Sequence, residues 1–220
     1  MGYTGDVSPG GPSDVRELEG LTIRKCSVGT MDNNAYLLTC TATDEQLLID
    51  AADDGERLGE LVREGSGRLH AVVTTHQHWD HHRALRSVVE ATHATTYAGA
   101  PDAPELPVAV DETVENGDVI SFGAVDLSVV RLTGHTPGSV ALAWAEPGGR
   151  VHLFTGDSLF PGGVGNTDRD AERFASLIAD VEARLFGTLP DETWVYPGHG
   201  KDTTIGAERP HLAEWRERGW

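Results

Sequence analysis

The sequence predicts a mixed α/β (α+β) protein in which two β-sheets pack face to face and helices cover the outside. Three observations carry that expectation. β-rich apolar runs outnumber helical ones. The segments follow the order strands, helix, strand, helix, strands, helix, strand, which layers well only with sheets inside and helices outside. Finally, the 220 residues show no internal repeat and no linker, which suits one domain.

The first stretch, Met1–Gly20, is rich in Gly, Pro, Ser and Asp and is expected as a flexible leader before a single domain over 21–220. It has neither a basic n-region nor an apolar h-region, so it does not read as a secretory signal. Thr22–Val28 and Asn34–Cys40 read as strands around the turn Gly29-Thr30-Met31-Asp32-Asn33. Gln46–Asp50 is a short apolar strand ending in Asp. Gly55–Glu64 has helical spacing through Leu58, Leu61 and Val62. Leu69–Thr74 is a buried strand that stops at Thr75-His76, and His82–Ala91 reads as a helix through Ala84, Leu85, Val88 and Val89. After a Pro-rich loop over Ala100–Pro107 come strand-like pieces at Glu112–Val114, Val119–Phe122, Val125–Leu132, Ser139–Ala145 and Val151–Thr155. Phe160–Asp168 is a Gly-rich loop. Asp170–Phe186 is a helix with Phe174, Leu177, Ile178, Val181 and Leu185 inside, and Thr193–Tyr196 is a final strand.

The formal net charge is −18. An acidic chain repels phosphate backbones and anionic lipid surfaces, so neither nucleic acid nor a membrane is the expected partner. No apolar run approaches the ~20 residues that span a bilayer. Cys26 and Cys40 lie in different strands without CxxC spacing. They read as free buried thiols, consistent with a cytoplasmic setting.

Four segments carry chemistry, each where a strand ends. In Thr75-His76-Gln77-His78-Trp79-Asp80-His81, alternating His76 and His78 on extended backbone point to the same side. Asp80 and His81 follow at the turn and reach toward a second metal. Imidazole and carboxylate are the ligands of zinc sites that keep an open position, and one such loop can serve two adjacent metals. The other segments are Gly134-His135-Thr136-Pro137-Gly138-Ser139, Thr155-Gly156-Asp157-Ser158 and Pro197-Gly198-His199-Gly200. Alone, each of their His or Asp residues reads as a turn residue; jointly they complete a two-metal set. His70, His93, His152 and His211 match no motif. His82 is expected to begin the next helix and point away.

This series, His-x-His-x-Asp-His with Gly-His-Thr-Pro-Gly-Ser, Thr-Gly-Asp-Ser and Pro-Gly-His-Gly, resembles the metallo-β-lactamase superfamily, and within it the glyoxalase II-like hydrolases. The resemblance runs from about Thr22 to Ala207. It implies a four-layer αββα metallo-β-lactamase sandwich with two Zn2+ ions at one edge of the sheets. By the same resemblance His76, His78 and His135 hold the first metal, Asp80, His81 and His199 the second, and Asp157 bridges them. Asp50 supports the ligands from behind. The implied activity is hydrolysis of a small thioester or related ester by a metal-bridging hydroxide, with Asp80 and Asp157 catalytic. In full-length glyoxalase II a C-terminal helical extension grips glutathione. Only residues 200–220 follow His199 here, so glutathione thioesters are expected to be poor substrates. The helix after the ligand loop begins His82-Arg83-Ala84-Leu85 where relatives often have Gly. The loop carrying Gly163, Asn166 and Thr167 is expected to shape the substrate cleft.

Other chemistries use the same scaffold. An iron-dependent persulfide dioxygenase would hold one Fe2+ with His76, His135 and Asp157. A lactonase shares the bridging Asp157, whereas β-lactam cleavage is disfavoured by it. A binding module without catalysis would have no use for seven retained ligands.

Overall fold

The computed structural model describes residues 2–219. The chain builds two main sheets in succession. The first sheet uses β1 (Asp14–Glu17), β2 (Leu21–Val28), β3 (Asn33–Cys40), β4 (Gln46–Ile49), β5 (Leu69–Thr74), β6 (Thr95–Gly99) and β7 (Glu112–Val114), paired in that order. The first four strands are antiparallel neighbours, and β4 through β7 run parallel. Parallel neighbours need crossovers. Two of these are helices, α1 (Gly55–Glu64) before β5 and α2 (Leu85–Thr92) before β6.

The second sheet uses β8 (Val119–Phe122), β9 (Val125–Arg131), β10 (Val140–Ala145) and β11 (Val151–Gly156) as an antiparallel meander. A small ribbon of β12 (Leu159–Phe160) and β13 (Gly163–Val164) follows, then α3 (Ala171–Val181), whose last turn widens to π geometry over Glu182–Phe186. β14 (Trp194–Pro197) returns parallel to β11, and β15 (Thr203–Thr204) closes that edge. The chain finishes with α4 (Ile205–Glu208) and α5 (Leu212–Arg218).

Three apolar layers hold this stack together. Between the sheets lie Ile23, Tyr36, Leu38, Ile49, Val73, Leu127, Leu142, Phe154 and Tyr196. Alternate residues of β3, such as Leu37, face the other way and pack with Leu48, Leu58, Leu61, Val72 and Leu85 beneath α1 and α2. Leu153, Val195, Phe174, Leu177, Leu185 and Trp215 fill the layer under α3 and α5. A strand buried on both sides must be apolar on both faces, and β3 is buried throughout. The architecture is the expected αββα sandwich.

Some elements differ from expectation. The stretch 2–20, expected as a loose leader, contains edge strand β1 and is tied to the body. The ammonium of Lys25, fully buried, donates to the carbonyls of Gly5 (2.9 Å) and Gly200 (2.7 Å) and to Asp202 Oδ1 (2.7 Å). Tyr3 donates its hydroxyl to Asp202 at 2.7 Å. Buried charge is tolerated only when fully partnered, and these contacts meet that requirement. The helix expected over His82–Ala91 begins only at Leu85. Residues 79–81 form a separate short turn first, and His82 folds back so that its Nε2 lies 3.0 Å from the Gln77 carbonyl. Cys26 and Cys40 are free and buried; their strands are neighbours, but the register sets Cys26 opposite Ala35 and Cys40 opposite Leu21. Among the described residues, no helix is long and apolar enough to cross a membrane.

Candidate metal centre

All seven expected ligands converge at one edge of the two sheets. His76, His78, Asp80 and His81 leave the end of β5. His135 sits between β9 and β10, Asp157 follows β11, and His199 follows β14. Ligand atoms of His76, His78 and His135 all lie within 4.8 Å of one another, as do those of His76, His81 and Asp157, and of Asp80, His81 and His199. In the first cluster, His135 Nε2 is 2.9 Å from His78 Nδ1 and 3.2 Å from His76 Nε2. In the second, His81 Nε2 is 3.1 Å from His199 Nε2 and 3.6 Å from Asp80 Oδ2. Asp157 stands between them. Its Oδ1 is 3.3 Å from His81 Nε2, and its Oδ2 is 3.4 Å from His199 Nε2 and 3.6 Å from His135 Nε2.

The ligand nitrogens face inward because the opposite ring atoms are held from behind. His135 Nδ1 donates to the Asn166 carbonyl at 2.7 Å, and His199 Nδ1 to the Met31 carbonyl at 2.9 Å. A carbonyl only accepts, so both rings carry a proton on Nδ1 and aim Nε2 at the cluster. Asp50 does more than expected. Its Oδ2 lies 2.9 Å from His81 Nδ1 and accepts from Thr75 Oγ1 at 2.8 Å. Thr75 Oγ1, its own proton thus committed, accepts from His76 Nδ1 at 3.0 Å. One carboxylate therefore orients a ligand in each cluster. Asp50 also accepts from the Thr75 backbone N–H at 2.8 Å and adopts a left-handed backbone, φ 59°. Asp tolerates that region better than most residues, and its contacts fix the conformation.

The electrostatics differ between the clusters. Burial keeps His76, His78 and His135 below the usual histidine range. Burial also opposes charge on His81, yet the Asp157 and Asp50 carboxylates beside it hold its pKa well above the usual value. His199 is likewise opposed by burial, but hydrogen bonds to Asp157 and Asp80 push it up to about 10. Burial would raise Asp157, but the imidazoles of His81 and His199 hold it well below the usual carboxylate range.

The arrangement fits metal ions. Asp157 Oδ1 is buried without a hydrogen-bond partner, a costly state for a carboxylate oxygen that a cation would relieve. The surroundings leave that room clear. A Cβ on Gly198 would lie 2.2 Å from Asp157 Oδ1 and 2.7 Å from His81 Cε1. A Cβ on Gly165 would lie 1.8 Å from the Asp157 carbonyl.

Three supporting residues escaped the sequence reading. Asp102, fully buried, accepts from the Gln77 N–H (3.0 Å), Thr136 Oγ1 (2.5 Å) and the Gly138 N–H (2.6 Å). It thus ties the His76/His78 loop to the His135 loop. Asn33 donates to Asp80 Oδ2 at 2.9 Å. Asn34 donates to the carbonyls of Pro197 and Gly200 at 2.9 and 3.0 Å, holding the His199 loop. An Asn at the head of a strand is a modest signal; Asp102 stood in a Pro-rich loop and gave none.

In the Gly-rich loop, Gly163 pairs with Phe160, Thr167 is buried, and Asn166 folds its side chain onto Asp168 while its carbonyl meets His135. A cavity of about 370 Å³ lies against this loop, lined by residues from Phe160 to Asn166 and by Arg218. The Phe160 ring is 6.3 Å from that of His199.

The fold is that of one family. The profile of the metallo-β-lactamase superfamily matches residues 28–199, and the chain belongs to that superfamily. Among proteins of known designation, it is 35% identical over 170 residues to the hydroxyacylglutathione hydrolase of Fuscovulum blasticum, covering 76% of this chain and 62% of that protein. The chain thus spans about 62% of the length of this relative. It is also similar to the crystal structure of ETHE1 from Myxococcus xanthus, with TM-score 0.75 and 29% identity over 89% of this chain and 84% of that one. TTHA1623, solved in a di-iron-bound form, superposes with TM-score 0.69 and 33% identity over 83% of this chain and 95% of that one.

Proposed function

We propose that the chain is a dinuclear metal-dependent hydrolase, loaded with two Zn2+, that cleaves a small thioester or related ester. The observation that carries the proposal is the position of Asp157 between the two histidine clusters, its Oδ1 beside His81 and its Oδ2 between His199 and His135. The similarity to a hydroxyacylglutathione hydrolase supports the substrate class. Metals in such a site lower the pKa of a bound water and polarise a carbonyl.

The chain's own residues prepare this chemistry. Asp50, the Asn166 carbonyl and the Met31 carbonyl fix the imidazoles so that no ring need reorient. Asp80 Oδ2, oriented by Asn33, is placed to accept the proton that an attacking water loses. A thiolate leaves readily, so cleavage needs no strong general acid. Among the described residues lining the cavity, no Ser or Cys supplies a nucleophile.

Metal analysis of freshly purified protein, combined with a thioester panel, tests the proposal. Two zincs per chain with thioester turnover is the expected result. A single iron with oxygen uptake on a persulfide would replace it with the dioxygenase chemistry, using His76, His135 and Asp157.

A further inference from the structure

We propose that Lys25 is a positioning residue for His199, and that through it residues 3–5 and a metal ion held by Asp80, His81 and His199 stabilise each other. This rests on the dinuclear reading above and adds to it a link between the second metal and the N-terminal stretch. His199 sits on the loop between β14 and β15. The near side of that loop is held by uncharged groups. The Pro197 carbonyl accepts from the Tyr36 hydroxyl at 2.6 Å and from Asn34 Nδ2 at 2.9 Å, and the Gly198 carbonyl accepts from the Asn34 N–H at 2.7 Å. The far side is held by a charge. Lys25 Nζ donates to the Gly200 carbonyl and to Asp202 Oδ1, each at 2.7 Å, so one ammonium spans the stretch directly after His199. Gly200 is left-handed there, φ 65°, which places the reversal beside the ligand. Bonds from an ionised donor are stronger than neutral ones.

The third proton of Lys25 goes to the Gly5 carbonyl at 2.9 Å. Asp202 is shared in the same way. Its Oδ2 accepts from the Tyr3 hydroxyl at 2.7 Å and from Trp194 Nε1 at 2.9 Å. A Cβ on Gly5 would lie 2.6 Å from that oxygen, so a glycine is needed where the chain closes over the carboxylate. The N–H groups of Thr4 and Gly5 anchor the segment by donating to Asp14 Oδ2, each at 2.8 Å. Lys25 and Asp202 are shut away from water, with side-chain exposures of 0% and 3%. Lifting residues 3–5 would let water compete with the Gly200 carbonyl for the ammonium, and a charge pair weakens steeply as water enters. The exposed Lys201–Asp6 pair, 3.4 Å apart, adds little to the link. A preorganised site tolerates ligand displacements of only about 0.5 Å, so a slackened Gly200 costs metal affinity at His199. His76, His78 and His135 stand on other loops, which Asp102 ties together. Coupling between two binding events is reciprocal, so the ion must tighten residues 3–5 as much as they tighten the ion.

The test measures zinc binding to the full chain by competitive titration, which resolves two dissociation constants. Lys25→Met is combined with Asp202→Asn, because removing the ammonium alone strands a buried carboxylate. The double variant should bind the second zinc roughly tenfold more weakly, the low end of the effect of outer contacts, with the first zinc little changed. Tyr3→Phe removes only the hydroxyl on Asp202 and should weaken the second site by about two- to threefold, the scale of a residue that touches neither ligand; it decides the matter if the double variant does not fold. Hydrogen exchange gives the reciprocal reading. In wild type the second zinc should slow exchange of the Thr4 and Gly5 amides, and in Tyr3→Phe it should slow them less. A general loosening of the fold would weaken both sites alike. Equal weakening of both sites, an unchanged second site, or Thr4 and Gly5 amides indifferent to the second zinc overturns the assignment. If wild type binds a single zinc, the dinuclear reading fails separately, and imidazole resonances of the metal-free protein decide the role of Lys25. A shift of the His199 ring signals in the double variant, with those of His135 in place, supports it; unmoved His199 signals overturn it.

Discussion

The histidines of the two triads, His76, His78 and His135 on one side and His81 and His199 with Asp80 on the other, are held in opposite protonation states. His76, His78 and His135 are three imidazoles that burial keeps neutral. In the other triad, His81 and His199 sit among Asp50, Asp80 and Asp157, and those carboxylates hold protons on them. The difference teaches that burial and charge, rather than residue type, decide what a cation meets on arrival. At the first triad it finds free lone pairs; at the second it must displace protons.

The largest expected effect removes the element the triads share. Asp157→Ala should lose metal at both sites and nearly all activity, measured by metal content and turnover. His199→Ala should keep the first metal and release the second. Equal metal loss in the two variants would break the comparison.

Next come the residues behind the ligands. Asp50 orients His81 directly and His76 through Thr75, so Asp50→Ala should weaken both sites, by about 10–100-fold each on the scale of outer ligand contacts. Asp102 holds the Gln77 N–H, between His76 and His78, and the Thr136 and Gly138 groups beside His135. Asp102→Asn should therefore weaken the first site selectively, and competitive metal titration resolves the two constants.

pH sharpens the comparison further. His199 titrates near 10 in the metal-free protein, so at neutral pH it is protonated and the second metal must release that proton on binding. Affinity at the second site should therefore rise with pH through the neutral range and fall with acid. The first triad has lowered pKa values, so its imidazoles are already neutral at pH 7 and its affinity should change little there. Calorimetry of the second metal in buffers of different ionisation enthalpy counts the protons. No proton release at the second site would remove the distinction.

The smallest effect lies in the loop. Asn166→Trp should change KM while leaving metal content intact, because only the Asn166 backbone carbonyl touches a ligand. Unchanged kinetics across several substrates would leave the loop without a part in binding.

The clustering of the seven His and Asp residues was legible because each sits within a few residues of a strand end, where local pattern and ligand chemistry coincide. The helices under which the cores lie were legible through their periodicity, as in Phe174, Leu177 and Ile178. What escaped depends on partners far along the chain. Asp102 meets Gln77 and Gly138, and Lys25 meets Gly200; nothing in the neighbourhood of either residue marks it. β6 escaped because Thr95–Gly99 is short and follows directly on α2. The leader's polar composition hid β1, since an edge strand with alternating burial needs few apolar residues.

The division of ligands between the sheets has a consequence for the lifetime of the whole molecule. The first sheet is built entirely from residues before 115 and the second from residues after 118, so the chain is two consecutive halves pressed together. Each close ligand group takes members from both halves: His76 and His78 with His135, His76 and His81 with Asp157, Asp80 and His81 with His199. A cation seated in any of them is a rivet across the seam. Such an ion adds to the free energy of prying the halves apart by an amount set by its concentration over its dissociation constant. Partial opening of this kind is how proteases reach a buried interior. Metal supply would then govern not only whether the site can act but how long the chain survives in a cell.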